Sequence, residues 1–403
     1  MSIRKEHINS IKMIDIIPAL SGLIGKVALA SSFAFMWAHE FSIGAPHFVL
    51  ENVRLEIFIG SLIALLSAFL LKSVSPAGTL APLIVLIPIM AKSGVHPFVL
   101  SILVGLFGMI GVKTGLLGKL IKLAGTVSKA SLAIAFGMSG IVLSLQKLLH
   151  FFREHFLLLV LILLLLSVAY FVLIKRQKSW LIILIAAAVS ILLSFIPGYG
   201  ITPAVHFGLP NMNPFYWWTE LWGIGFGLDV LTIFRTLPFA LFVVFIWSID
   251  TVSIQTIIYA EEKEATEVLK TEESFLVASA RNMIGGICGG AQTSALWRSF
   301  LIPLYHIGRP IRPAAILLGL LGIAVSVTAV SISYLSYTPM VWTVLLFGVF
   351  LPFAIVGVKN FIKIEGFKYK ICVAVLSVTG IFITPILAGI SGIMIDSIGQ
   401  RKK

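Results

Sequence analysis

Apolar residues run along this chain in long blocks and do not alternate with polar ones. Residues 156–174 carry no charge, and 180–196 and 340–358 read the same way. Blocks of this length, apolar on every side, suit a helix surrounded by hydrocarbon, because about 20 apolar residues cross a bilayer. Segmenting on them predicts helices at 16–37, 55–71, 79–91, 97–118, 127–146, 156–174, 179–197, 236–260, 273–288, 293–306, 313–333, 340–358, 369–384 and 386–398. Composition agrees. The 403 residues are 59% hydrophobic and 12% charged, with mean hydropathy +1.05, whereas a soluble chain carries about 25% charged residues. The expected fold class is an all-α polytopic membrane protein of 14 transmembrane segments.

The net charge of +13 would suit a nucleic-acid partner, but its placement has another cause. With a cytoplasmic N-terminus and alternating spans, 22 of the 30 Lys and Arg fall in inside loops and 5 outside (Arg54, Lys92, Lys147, Arg153 and Arg235). That asymmetry is the positive-inside pattern. It places both termini in the cytoplasm, makes the lipid bilayer the partner and excludes nucleic acid. The basic N-terminus leads into an apolar stretch without a small-residue cleavage site, so the first helix reads as retained. Cys288 and Cys372 lie in apolar surroundings, which predicts neither a disulfide nor a metal site. The histidines, among them His47, His96 and His206, show no ligand spacing and read as polar surface. Gly223-Ile224-Gly225-Phe226-Gly227 follows no strand, so it is not a nucleotide loop. No enzyme motif and no cofactor motif is present. The charged stretch 261–274 reads as a solvated amphipathic helix. The outer loop 201–228, rich in Pro, Gly and Trp, reads either as a lid or re-entrant piece joining two halves or as an interfacial aromatic anchor.

The third and tenth segments are short, and each follows a break. Ser75-Pro76-Ala77-Gly78-Thr79 precedes Leu80; Gly289-Gly290-Ala291-Gln292-Thr293 precedes Ser294. A Leu-Ile-Pro then ends at Pro88 or Pro303. Glycines follow at Gly94 or Gly308, Gly105 or Gly319, and Gly108 or Gly322, with equal spacing in both halves. Each half holds seven segments, an odd number, so equivalent helices run in opposite directions. The expectation is a 7+7 inverted repeat with half-helices at the third and tenth positions, the arrangement that marks a transporter's binding site. A helix starting at mid-membrane leaves about four N–H groups without intrahelical partners and presents roughly half a positive charge. Two such tips facing each other suit an anion or an electron-rich polar ring.

Lys26, Asp250, Arg281 and Arg298 interrupt apolar spans. Ionisable groups at that depth face the bundle interior or a cavity. Lys26 and Asp250 lie on equivalent helices and can approach across the pseudo-twofold, to act on substrate or to form a structural bridge. Asp250 continues a polar face with Thr251, Ser253 and Gln255, and a carboxylate in a low dielectric can carry a proton. Arg298 adds a fixed charge at the tenth half-helix; Arg281 reads as a residue that snorkels.

These segments resemble the sulfate-permease (SulP) and nucleobase-permease superfamily. The likeness lies in Ser101 to Gln146, with Leu103-Val104-Gly105-Leu106, Gly115-Leu116-Leu117-Gly118-Lys119 and Ala135-Phe136-Gly137-Met138-Ser139-Gly140. It continues in Asn282-Met283-Ile284-Gly285-Gly286 and in Thr293 to Arg298-Ser299. The stretch Phe48 to Arg54 is similar to that of a small bacterial transporter group within the superfamily. The resemblance implies a core domain (1–126 and 236–336) moving past gate helices and an outer loop (127–235) and further gate helices (337–403), in a homodimer of the bacterial inner membrane. It implies substrate contacts at Lys26, Gly78, Thr79, Leu80, Asp250, Gln292, Thr293, Ser294 and Arg298. The chain ends about five residues past its last segment, so no cytoplasmic regulatory domain is expected. Asp250 stands where the family carries Glu, and Gln292 and Thr293 stand near the tenth-helix Glu of nucleobase carriers. The expected function is a secondary transporter for a small anion, inorganic or carboxylate, with Asp250 as proton-coupling group. The alternatives are a uracil- or xanthine-like nucleobase symporter and a non-transporting sensor or channel.

Overall fold

Leu159, Ile162, Leu166 and Tyr170 are the buried residues of a helix, Phe156–Lys175, that is apolar on every side. Their spacing traces one stripe. Leu157, Leu161 and Leu165, between them, stand exposed. That outer surface is costly in water and at home in hydrocarbon, and among the described residues six helices are long and apolar enough to cross a membrane by length and composition. The chain is an integral membrane protein.

The computed structural model describes residues 11–45, 47–71, 74–260 and 269–400. A helix stands at each of the fourteen expected positions. The first half holds α1 (Ile16–Glu40), α2 (Phe48–Leu70), α3 (Ala81–Lys92), α4 (Pro97–Lys113), α5 (Thr126–Phe151), α6 (Phe156–Lys175) and α7 (Ser179–Leu193). The second holds α8 (Val230–Ala260), α9 (Thr271–Ile287), α10 (Arg298–Ile307), α11 (Ile311–Ser326), α12 (Thr338–Ile362), α13 (Phe367–Phe382) and α14 (Pro385–Gln400). Arg4, Lys5, Lys72, Lys263, Arg401, Lys402, Lys403 and most of the charged stretch 261–274 lie outside the described residues, as do the side chains of Ser253 and Gln255.

The repeat is physical as well as textual. α3 and α10 are about 20 and 15 Å long by their residue counts, against a hydrocarbon core of about 30 Å. Each ends on a glycine in the left-handed region, Gly94 at φ +76° and Gly308 at φ +70°. α4 packs on α9 and α11 packs on α2, and both contacts close over the matched glycines. A Cβ at Gly105 would lie 2.7 Å from the Ser279 carbonyl oxygen; one at Gly319 would lie 3.0 Å from that of Ser61. Short helices, Leu116–Leu123 and Ala329–Leu335, follow α4 and α11 alike.

Two bundles result. In one, α1 packs on α2, α10 and α11, and α8 on α4. In the other, α5 packs on α12, α13 and α14. Asp396 of α14 accepts the Val127 and Ser128 amides at 3.1 and 2.9 Å, placing a carboxylate on the positive end of α5. The bundles meet where α1 passes α7 and α12 and where α3 passes α5.

The outer loop is neither a lid over a cavity nor an interfacial belt. Trp217, Trp218 and Trp222 are buried. The Trp218 and Trp222 indoles donate to the carbonyls of Gly286 and Gly289, each at 3.0 Å. The rings satisfy backbone at the end of α9, which outweighs interfacial placement. Arg54, expected outside, sits within α2. It pairs with Glu51 at 2.8 Å and donates to the Ser326 and Gly208 carbonyls, tying loop, α2 and α11 together. His96 is likewise buried, accepting from the Phe98 amide at the start of α4; His206 meets Glu51 at 3.0 Å.

Overpacking a close helix crossing costs about 1–3 kcal/mol. Gly105→Leu and Gly319→Leu should each lower stability by that amount in detergent melts. Gly118→Leu, with nothing within 4 Å of its would-be Cβ, should stay near neutral. Equal melts for all three variants would contradict the matched crossings.

Candidate functional site

Proline and glycine keep the stretches before α3 and α10 out of helix, and the two breaks cross in extended conformation. Gly78 donates to the Ala295 carbonyl at 2.7 Å, Leu80 to that of Thr293 at 2.8 Å, and Trp297 to that of Pro76 at 3.2 Å. The result is one antiparallel bridge, Ala77 to Leu296, inside a helical protein. Gly78 is needed there, since a Cβ would fall 2.5 Å from the Trp297 Cα. Past the crossing α3 opens as a 3-10 helix over Ala81–Leu86, and α10 opens at Arg298.

The tips are less orphaned than the sequence suggests. The crossing uses the amides of Gly78, Leu80 and Trp297. Tight turns use Leu83, Arg298, Phe300 and Leu301, and Pro82 has no N–H. Among the described residues, the Ala81 and Ser299 amides remain without a partner at the two tips. Both residues line a cavity of about 860 Å³ between the bundles.

Lys26, Thr79, Asp250 and Arg298 line the same cavity. Lys26 is 1% exposed. Its ammonium donates to the Ala77 carbonyl at 2.9 Å and lies 4.3 Å from the centre of the Trp297 ring. Among the described residues no carboxylate pairs with it. It does not bridge to Asp250, which instead lies 3.3 Å from the Arg298 guanidinium. Asp250 is 8% exposed, and its Oδ1 has no well-directed hydrogen bond. Arg298 also stacks over Phe353 of α12 at 4.6 Å, joining one bundle to the other.

Gly78, Leu80, Gln292, Thr293 and Ser294 stand behind the cavity wall, in or beside the crossing. Gln292 is buried, and its amide donates to Glu56 at 2.7 Å while its oxygen accepts from Thr79. Ser294 donates its backbone N–H to Asn282 at 2.6 Å. The groups behind this wall were not visible as such in the sequence. Asn52 and Glu56 of α2, spaced i, i+4, reach the second break: Asn52 donates to the Gly289 carbonyl at 2.9 Å, and Glu56 accepts the Gln292 amide N–H at 3.1 Å. Glu56 forms an ion pair with Arg281. Arg281 is fully buried, so it does not snorkel; its counter-ion holds it inside.

Lys129, Ser179, His306 and Lys359 line the cavity where α10 and α12 end. α3 packs on α5, whereas the equivalent α10 makes only sparse contact with α12. A symmetric fold is thus held in an asymmetric state.

The family described as "Protein of unknown function (DUF3360)" matches residues 8–401. The chain belongs to the DUF3360 family. No curated protein matches it in sequence. Solved structures share its fold. Murine Slc26a9, titled an anion transporter in the inward-facing state, aligns at TM-score 0.62 and 12% identity over 98% of this chain and 69% of that one. Another SLC26A9 structure aligns at 0.61 and 11% over 95% of this chain, which spans 65% of that protein. The transmembrane domain of a cyanobacterium bicarbonate transporter, BicA, aligns at 0.57 and 14% over 94% and 99%. The likeness to the SulP type is therefore one of fold, and the DUF3360 chain shares that all-helical fold.

Removing one partner of a buried ion pair costs about 3–5 kcal/mol, while replacing both with apolar residues is often neutral. Glu56→Gln should therefore destabilise the protein by that amount in thermal melts, and adding Arg281→Met should restore most of it. No rescue by the second change would mean that the pair does not hold the crossing.

Proposed function

We propose that this protein is a secondary transporter that carries a small anion between its two bundles. The observation that supports this most is Lys26: a buried ammonium on the cavity wall with a carbonyl and an indole face as its partners and, among the described residues, no counter-ion. A cation so placed is stabilised by an anion that enters beside it. The half-helix tips add positive potential from two sides, and Arg298 supplies a second cation.

In this reading α1–α4 with α8–α11 form a core (1–126 and 236–336). It moves past a gate of α5–α7 and α12–α14 (127–235 and 337–403). The cavity extends to the end rich in Lys and Arg, which the positive-inside rule makes cytoplasmic, so this reading makes the state inward-facing. Transfer to the other side brings α10 onto α12 and parts α3 from α5, the mirror image of the present contacts.

Asp250 is the coupling group of the proposal. Ionised, it competes with the substrate for Arg298. Protonated, it frees the guanidinium to hold the anion, so proton and anion load together. A nucleobase carrier needs an open polar edge in the tenth segment, and Gln292 has spent its amide on Glu56 and Thr79. That favours the anion.

The test is uptake and binding with purified protein in liposomes. Anion affinity should rise as pH falls, and Asp250→Asn should give high, pH-independent affinity without proton-driven accumulation. A full proton-driven rate in Asp250→Asn removes the coupling role. Arg298→Gln should weaken anion binding tenfold or more, the scale of a lost charged hydrogen bond. Competition by uracil or xanthine, with none by any anion, would replace this reading with the nucleobase one. Flux beyond about 10⁵ per second would indicate a channel, since domain motions take microseconds to milliseconds.

A further inference from the structure

Building on the anion reading above, we infer that the substrate is an organic carboxylate with an apolar body, and not an inorganic oxyanion or halide. The donors and the walls of the cavity carry this. The donors stand on α1, α3 and α10: the amides of Ala81 and Ser299, the Lys26 ammonium, which also meets the Ala77 carbonyl, and the Arg298 guanidinium, which also meets Asp250. Nearby polar groups are already engaged. Thr79 donates to Gln292, Ser299 Oγ donates to the Gly22 carbonyl at 3.3 Å, and Pro82 has no N–H to give.

The facing walls are of the opposite character. Phe136 of α5 and Val349 and Phe353 of α12 line them opposite α1, α8 and α10, and these side chains have neither donor nor acceptor; the polar lining of the same bundle is at Lys129, Gln177, Lys359 and Asn360. A sulfate or bicarbonate held at the donors would turn its other oxygens toward these walls and lose their hydration without replacement. A carboxylate directs both oxygens one way and its carbon chain the other, which matches the division of the cavity. The space fits as well: about 860 Å³ lies in the range of roughly 300–1,000 Å³ typical of organic-ligand pockets lined mainly by apolar side chains. A π-helical turn at Leu346–Phe350 projects Val349 onto this wall, and such turns recur at functional sites.

The experiment is a thermal-shift and binding series on the purified full chain with acetate, butyrate, hexanoate and benzoate against chloride, bicarbonate and sulfate. Affinity should climb from acetate to hexanoate by up to about fourfold per methylene, the scale of full apolar burial, and every inorganic anion should bind more weakly than butyrate. Ala133, on the same cavity wall, offers a second measurement: Ala133→Phe should lower the hexanoate-to-acetate affinity ratio by tenfold or more. Sulfate or bicarbonate binding more tightly than all carboxylates, or affinity independent of chain length, overturns this inference and leaves the anion reading standing. No binding by any anion overturns both.

Discussion

The crossing of two extended breaks, Ser75–Leu80 with Ala291–Trp297, is the constraint on which the rest of the structure depends. A broken helix within a bilayer must find partners for the backbone it frees. Here each break partners the other, through three inter-segment hydrogen bonds around Ala77 and Leu296. The crossing fixes where α3 and α10 begin. It aims their positive ends at one region and leaves a free amide on each side of it.

Such a crossing cannot stand alone, because it leaves side-chain and carbonyl groups with nothing to bond. α2 and α9, which are repeat equivalents, supply the missing partners from behind. Asn52 and Glu56 hold the second break from one helix, and Arg281 and Asn282 hold it from the other. Glu56 and Arg281 cancel each other's charge, which permits both to be buried. The three tryptophans of the outer loop close the same region from the end of α9. The polar residues therefore fall into two groups with different duties: a satisfied set behind the crossing that keeps it rigid, and a sparsely partnered set in front of it, Lys26, Asp250 and Arg298, that faces the cavity.

The cavity itself comes from broken symmetry. Both halves supply a half-helix and an opposing long helix, yet α3 rests on α5 while α10 stands off from α12, with Arg298 over Phe353 spanning the gap. Two arrangements of near-equal contact are what a repeat of opposite orientation offers, and a carrier needs both. In the proposed cycle the apolar walls favour sliding, since dispersion contacts reform at each position whereas directed hydrogen bonds pin one.

The helices were legible in the sequence because lipid demands unbroken apolar runs. The repeat was legible because close helix crossings demand glycine at fixed intervals, as Gly105 with Gly108 and Gly319 with Gly322 display. Lys26, Asp250 and Arg298 stood out because ionisable groups at depth are costly and so are rare. Tertiary structure alone decided what each of them meets. Asp250 takes Arg298 and not Lys26, Arg281 takes Glu56 and does not reach for the interface, and Gln292 faces away from the cavity. Glu56 and Asn52 were hidden within a run that resembles the polar end of a span, and the tryptophans of the outer loop looked like an interfacial belt. In each case the side chain's type was plain from the sequence, but its partner lay up to 239 positions away along the chain. Partner choice at such separations is set by how helices pack, which the local pattern of residues does not encode.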